Sequence, residues 1–148
     1  RVWKEIKEIP DDVVKKIKVA IKENKRIKLI HDFDADGISS GAKMKVELTK
    51  FGVKEENIEA ICKDREELYR GITQSLEDRV GERELVIAVD LGSNDIESFG
   101  RFNERGTEVI VIDHHEDTAD NKNFYKDKKN ILINPAFHDE TDLKNSLI

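Results

Sequence analysis

The sequence of 148 residues lacks the features that mark several classes of protein. It has one cysteine, Cys62, so neither an internal disulfide nor a cysteine-based zinc site can form, and we expect a reducing, cytoplasmic setting. No apolar run approaches the roughly 18 residues of a membrane span, so we expect no membrane association. Lys and Arg total 26 against 32 Asp and Glu, a net charge of −6, which excludes a nucleic-acid clamp that works by overall basic charge.

Short apolar runs alternate with helical patterns along the chain. The predicted strands are 27–30, 57–62, 85–89, 109–112 and 131–133. The predicted helices are 10–24, a segment from near Ser39 to Phe51, one helix within 64–82, and 94–105. Runs that are apolar at every position are typical of strands buried on both faces of a parallel sheet. The sequence therefore predicts an α/β fold with a mainly parallel, doubly wound (Rossmann-like) sheet and helices on both faces.

An acidic cluster directly follows the first predicted strand. It reads Asp32-Phe33-Asp34-Ala35-Asp36-Gly37. In an extended segment alternate residues point the same way, so three carboxylates would face one point. A divalent cation would relieve their repulsion. The alternative interpretation is a solvated acidic turn that caps the next helix, and for a lone Asp-x-Asp pair that interpretation is the more common one.

Two further clusters end predicted strands. Asp90 follows the run 85–89, and Asp113-His114-His115 follows the run 109–112. In isolation, a strand-end cap explains the first and a surface histidine pair explains the second. Together they indicate one site, because a doubly wound sheet gathers the carboxyl ends of its strands where ligands bind. Imidazole and carboxylate ligands suit manganese, zinc or iron better than calcium.

The order of these motifs resembles that of the DHH phosphoesterase superfamily. The matching residues are Asp32-x-Asp34-x-Asp36-Gly37, then Asp90, then Asp113-His114-His115. The resemblance runs from about residue 27 to residue 135. Residues 30–40 and Asn134-Pro135 look most like the RecJ-type single-strand exonucleases. The superfamily also includes oligonucleotide and cyclic-dinucleotide phosphodiesterases and inorganic pyrophosphatases.

The resemblance implies a role for each motif residue. The ligands of one or two Mn²⁺ or Mg²⁺ ions would be Asp32, Asp34, Asp36, Asp90 and His114. Asp90 would bridge two ions as part of the catalytic centre, and His115 would face the scissile phosphate of the substrate. Asp113 would orient the turn rather than bind metal. His31 lies one position away from a known ligand slot and has no assigned role.

The resemblance also gives an expected extent. Residues 1–148 would form the DHH catalytic domain of a longer protein, because the chain starts at Arg1 rather than Met and ends on the apolar residues Leu147 and Ile148. Members of the family add a C-terminal, Gly-rich substrate-binding domain and one more metal-binding Asp, and neither is evident in this sequence. Asp139 and Asp142 lack the apolar context expected of that ligand.

Three functional hypotheses follow from the resemblance. The leading one is a metal-dependent phosphodiesterase that acts on single-stranded DNA or short oligonucleotides and works with replication or repair proteins. The second is hydrolysis of a small phosphorylated molecule, such as a cyclic dinucleotide or pyrophosphate. The third is a non-catalytic replication scaffold, against which the intact motifs argue, because clustered carboxylates repel one another. Lys43, Lys45 and Lys50 could contact a phosphate backbone or form a solvated helix face.

Overall fold

Strands and helices alternate along the described part of the chain. The computed structural model describes residues 10–63, 72–92, 94–113 and 119–133. The strands are β1 (Ile27–His31), β2 (Ile58–Cys62), β3 (Leu85–Val89), β4 (Glu108–Ile112) and β5 (Asn130–Ile133). The helices are α1 (Asp11–Lys22), α2 (Ala35–Phe51), α3 (Gln74–Glu77), α4 (Ile96–Glu104) and α5 (Ala119–Phe124), and a single 3-10 turn, Glu55–Asn57, precedes β2. Within these residues no helix has both the length and the apolar character needed to cross a bilayer.

The five strands form one parallel sheet in the order β2-β1-β3-β4-β5. The chain first moves from β1 outward to β2 and then returns to β3 on the other side of β1. The direction of winding therefore reverses between β1 and β3. In doubly wound sheets, ligands bind beyond the carboxyl ends of the strands at such a reversal. The predicted parallel α/β architecture is confirmed.

Helices cover both faces of this sheet, and each face has its own apolar core. On one face, α1 and α2 pack against alternate strand residues; the core includes Val13, Ile17, Leu29, Met44, Leu48, Ile87 and Ile110. On the other face, α3 and α4 pack against the remaining strand residues; that core includes Ile30, Leu76, Val86, Phe99, Phe102 and Val109. Phe99 and Phe102 are fully buried, and each such side chain stabilises the fold by about 1.5–3 kcal/mol. The sheet edge that carries the acidic motifs is therefore held rigidly from both sides.

Most bounds agree with the sequence predictions to within two residues, and the larger differences are the start of α2 and the additional helix α5. Helix α2 begins at Ala35 rather than near Ser39, because Asp34 caps it and accepts a hydrogen bond from the Gly37 N–H. Helix α5 is not predicted, because its short sequence has no periodic apolar pattern. The helix that is predicted without defined bounds within 64–82 corresponds to α3, which covers one turn; residues 64–71 lie outside the described residues.

A buried carboxylate joins α3 to α4. Glu77 is 2% exposed. It accepts hydrogen bonds from Ser98 Oγ at 2.7 Å and from the Arg101 guanidinium at 2.6 and 2.9 Å. The hydrogen bond from Arg101 lowers the pKa of Glu77, burial opposes this effect, and the Ser98 hydroxyl lowers the pKa further. The ionised carboxylate is thus the form that the fold prefers.

Replacing Glu77 with glutamine is expected to destabilise the fold in a pH-dependent way. Because the folded-state pKa is below the ordinary value of 4.5, the carboxylate stabilises the fold fully above that pH. This contribution is lost as the pH falls through the folded-state pKa. The difference in unfolding free energy between wild type and Glu77→Gln should therefore shrink as acid is added. Denaturant unfolding at several pH values measures it, and a difference independent of pH would contradict the assignment.

Candidate metal centre

The carboxyl ends of three neighbouring strands lie at the same level in the sheet. The last residues of β1, β3 and β4 are paired across the sheet. The residues that follow them are Asp32, Asp90 and Asp113. Because neighbouring strands lie about 4.8 Å apart, these three backbone positions span about 10 Å of the sheet edge. The reversal between β1 and β3 separates Asp32 from Asp90, so the acidic motifs lie at the position where such sheets bind ligands.

The turn between β1 and α2 holds the first motif. Asp34 is the N-cap of α2, and its Oδ1 accepts from the Gly37 amide at 2.6 Å. Asp36 lies in the first turn of the helix, and both carboxylates are exposed. Asp32 is half-buried, and its Oδ1 accepts from the Phe33 amide at 2.8 Å. The expectation of one extended segment is wrong for Asp36, because the helix starts at Ala35. Asp34 and Asp36 lie instead at the N-terminus of α2, where the helix dipole favours negative charge.

Asp90 has an unusual backbone conformation. Its φ angle is 63°, in the left-handed region that few residues other than glycine adopt. Its amide donates to the Ile112 carbonyl at 2.8 Å, which anchors the strand end to β4. The residue is half-buried at the sheet edge. Strained conformations of this kind concentrate at functional sites, where the surrounding structure maintains them.

Charged side chains are buried or half-buried at the same edge, and two of them, Lys63 and Asp95, were not predicted from the sequence. Lys63 follows β2 and is 4% exposed, and Asp113 follows β4 and is 2% exposed. Asp95, just before α4, accepts from the Ile72 amide at 3.1 Å. The pKa of Asp95 is raised above its ordinary value. Burial is the main cause and the Asp113 carboxylate adds to it, whereas the Lys63 ammonium and the hydrogen bond from the Ile72 amide act in the opposite direction. The sequence does show a second acidic residue, Asp95, five positions after Asp90, but nothing in the sequence indicates that Asp95 lies near Lys63.

The lysines of α2 form a solvated face. Lys45 Nζ lies 3.9 Å from Glu55, and Lys50 Nζ lies 3.5 Å from Glu47. Lys43 is exposed. Pairing with carboxylates of the same chain favours the solvated-face interpretation of these residues over a contact with phosphate.

The donor set suits a hard divalent cation. Asp34, Asp36 and Asp90 offer carboxylate oxygens, which are the ligands that Mg²⁺ and Mn²⁺ prefer. Within the described ranges alone, no three His, Cys, Asp or Glu side chains are arranged to hold a metal ion. The predicted set, however, also includes His114. Both His114 and His115 lie outside the described residues. The predictions for Asn134-Pro135, Asp139 and Asp142 lie outside them as well. The role of each residue as a ligand stays a prediction.

The chain is similar in sequence to two proteins that share one name. The chain is 30% identical over 104 residues to a protein named single-stranded-DNA-specific exonuclease RecJ from Dickeya dadantii, covering 69% of the chain and 18% of that relative. It is 31% identical over 103 residues to the protein of the same name from Bacillus subtilis, covering 68% of the chain and 13% of that relative. The chain thus spans less than a fifth of the length of these relatives.

Two solved structures of proteins named RecJ are similar to this chain in fold. The structure of an exonuclease RecJ bound to manganese superposes with a TM-score of 0.65 at 25% identity, covering 82% of this chain and 29% of the other. RecJ from Thermus thermophilus in complex with Mn²⁺ superposes with a TM-score of 0.51 at 27% identity, covering 70% of this chain and 14% of the other. The profile of the DHH family, N-terminal domain, matches residues 26–140. The chain therefore belongs to the DHH family.

Proposed function

We propose that this protein is a Mn²⁺- or Mg²⁺-dependent phosphodiesterase that removes nucleotides from the ends of single-stranded DNA. The observation that carries the proposal is the alignment of the carboxylate-bearing strand ends beside the reversal between β1 and β3. Two similar proteins are named as single-strand-specific exonucleases, and two similar structures hold manganese. Location in the cytoplasm and a role in DNA repair, with replication or repair proteins as partners, belong to the same proposal.

In this proposal the carboxylates at the sheet edge hold one or two divalent cations. The ligands would be Asp34, Asp36, Asp90 and His114, with Asp32 close to the first ion. When bound, the ions supply Lewis acidity and positive charge that offsets the phosphate. This explains how a protein with a net charge of −6 can bind a polyanion.

The residues of the chain supply position and orientation. The α2 N-terminus fixes Asp34 through the Gly37 amide, so one of its oxygens has a defined direction. The apolar cores on the two faces of the sheet hold β1 and β3 in place and so fix the spacing between their carboxyl ends. His115 would contact the scissile phosphate, and Asp113 would orient the turn that carries both histidines. The C-terminal substrate-binding domain that the resemblance predicts would hold the rest of the strand, and it stays a prediction.

Single-turnover digestion of DNA, with protein in excess over the substrate, tests the proposal. A labelled linear single strand should lose mononucleotides when Mn²⁺ is present and should stay intact in EDTA. A circular single strand of the same sequence is the matched control, because it has no end and an exonuclease leaves it closed. A blunt duplex should be degraded much more slowly.

Three results would contradict the proposal. Hydrolysis of pyrophosphate or a cyclic dinucleotide without digestion of the linear strand would indicate the small-molecule reaction instead. Cleavage of the circular strand would indicate an endonuclease. Binding of Mn²⁺ without hydrolysis of any of these substrates would favour the scaffold.

A further inference from the structure

His31 is a buried polar side chain next to the candidate metal centre that the proposed function leaves unused. It is the last residue of β1 and lies between its paired residues Cys62 of β2 and Val89 of β3. Its side chain is 9% exposed. A polar ring at a buried strand end needs a hydrogen-bond partner.

The partner of the ring is the backbone of the acidic motif. Nδ1 of His31 lies 2.9 Å from the carbonyl oxygen of Asp32. A carbonyl oxygen can only accept, so Nδ1 must carry the hydrogen and donate it. The neutral ring is therefore the Nδ1–H tautomer, with its lone pair on Nε2.

Two glycines of α2 close around this hydrogen bond. A Cβ at Gly41 would lie 2.7 Å from Cδ2 and 2.8 Å from Cγ of His31, so α2 packs directly on the ring. A Cβ at Gly37 would lie 2.7 Å from the carbonyl oxygen of Asp32, the same atom that accepts from His31. The ring, the carbonyl and α2 thus form one close-packed contact in which no added methyl group fits.

This contact holds the N-terminal turns of α2 against the end of β1. Along the chain, Asp34 and Asp36 lie between the Asp32 carbonyl and Gly37, which packs on it, so a shift of that carbonyl moves both carboxylates. We propose that His31 is a positioning residue that fixes the carboxylates of the β1–α2 turn through its Nδ1–H hydrogen bond to Asp32. The inference rests on the metal site proposed above.

Calorimetric titration with MnCl₂, in the absence of nucleic acid, tests the inference on three variants. His31→Phe keeps a ring against Gly41 but removes the donor, and it should weaken Mn²⁺ binding about 10- to 100-fold. His31→Asn keeps a donor at the position of Nδ1 but loses the ring, so its Mn²⁺ affinity should stay close to wild type while its melting temperature falls. A merely structural role predicts the opposite order, with affinity following stability.

Gly41→Ala provides a second route that does not depend on either His31 variant. The added methyl group must displace the ring, so it should weaken Mn²⁺ binding in wild type but have little further effect in the His31→Asn background. Gly100→Ala is the matched control: Gly100 lies within α4, and an added Cβ meets nothing within 4 Å. That control should leave the Mn²⁺ affinity unchanged and raise the melting temperature.

The outcomes separate this inference from the proposed function. Equal Mn²⁺ affinity in wild type and His31→Phe, or an Nε2–H tautomer in the ¹⁵N NMR spectrum of the metal-free protein, would overturn the positioning role and leave the metal site intact. Additive effects of Gly41→Ala and His31→Asn would also overturn it. Failure of the wild type to bind Mn²⁺ would overturn the proposed function itself. The NMR measurement of the His31 tautomer needs no metal, so it tests the hydrogen bond independently of that outcome.

Discussion

Replacing Asp36 with asparagine is expected to reduce metal-dependent hydrolysis of single-stranded DNA by about 10³-fold or more while the protein stays folded. Loss of a cation that acts as a Lewis acid removes several kcal/mol of transition-state stabilisation, and each 1.36 kcal/mol is a factor of ten in rate. The carboxylate is exposed in the first turn of α2, where its interaction with the helix dipole stabilises the fold by only about 0.3–1 kcal/mol. Single-turnover rates and thermal unfolding measure the two effects separately.

Asp127→Asn is the matched control for this variant. Asp127 is an exposed aspartate just before β5, at the opposite edge of the sheet, and it accepts from the Lys129 amide at 3.0 Å. It undergoes the same change of charge without touching the acidic motifs. If Asp36→Asn and Asp127→Asn hydrolyse DNA at similar rates, Asp36 is not part of the metal centre.

Substitutions at Asp90 are expected to reduce activity strongly in every case but to affect stability in different ways. Because φ is 63°, glycine should fit at least as well as aspartate, and asparagine should fit nearly as well. Alanine should cost up to about 1–2 kcal/mol, because it lacks the short polar side chain whose local hydrogen bonds make this conformation accessible to aspartate and asparagine. Hydrolysis should fall by about 100-fold or more in all three, because each removes the carboxylate that the resemblance places between two ions.

Comparison of the three Asp90 variants separates the backbone role from the chemical role. Denaturant unfolding should order their stability as glycine and asparagine above alanine, while their activities are uniformly low. Activity that follows stability across the series would show that Asp90 acts only through the backbone. Near-normal hydrolysis by Asp90→Asn would remove this residue from the ligand set.

The sheet was predictable because its signals are local. The run 85–89 is apolar at every position and is a strand with those bounds, buried throughout. The acidic motifs that follow β1, β3 and β4 lie at strand ends, as a parallel sheet requires. The sequence indicates which residues reach the edge, but not the strand order that locates the reversal beside β1.

Other features depend on contacts between distant segments. The start of α2 was misplaced because a side-chain cap at Asp34, rather than apolar periodicity, decides it. Burial of Lys63 and Glu77 could not be read from residue type, because charged side chains are ordinarily exposed unless they are paired. Glu77 is buried because α4 supplies Ser98 and Arg101, twenty or more positions away.

Anomalous diffraction from crystals of the protein grown with MnCl₂ tests the central claim most directly. We expect a manganese peak beyond the carboxyl ends of β1 and β3, with carboxylate oxygens of Asp36 and Asp90 about 2.1 Å from the ion. Soaking the same crystals in EDTA should remove the peak. A manganese peak elsewhere on the protein, or none at this edge at saturating MnCl₂, would contradict the account.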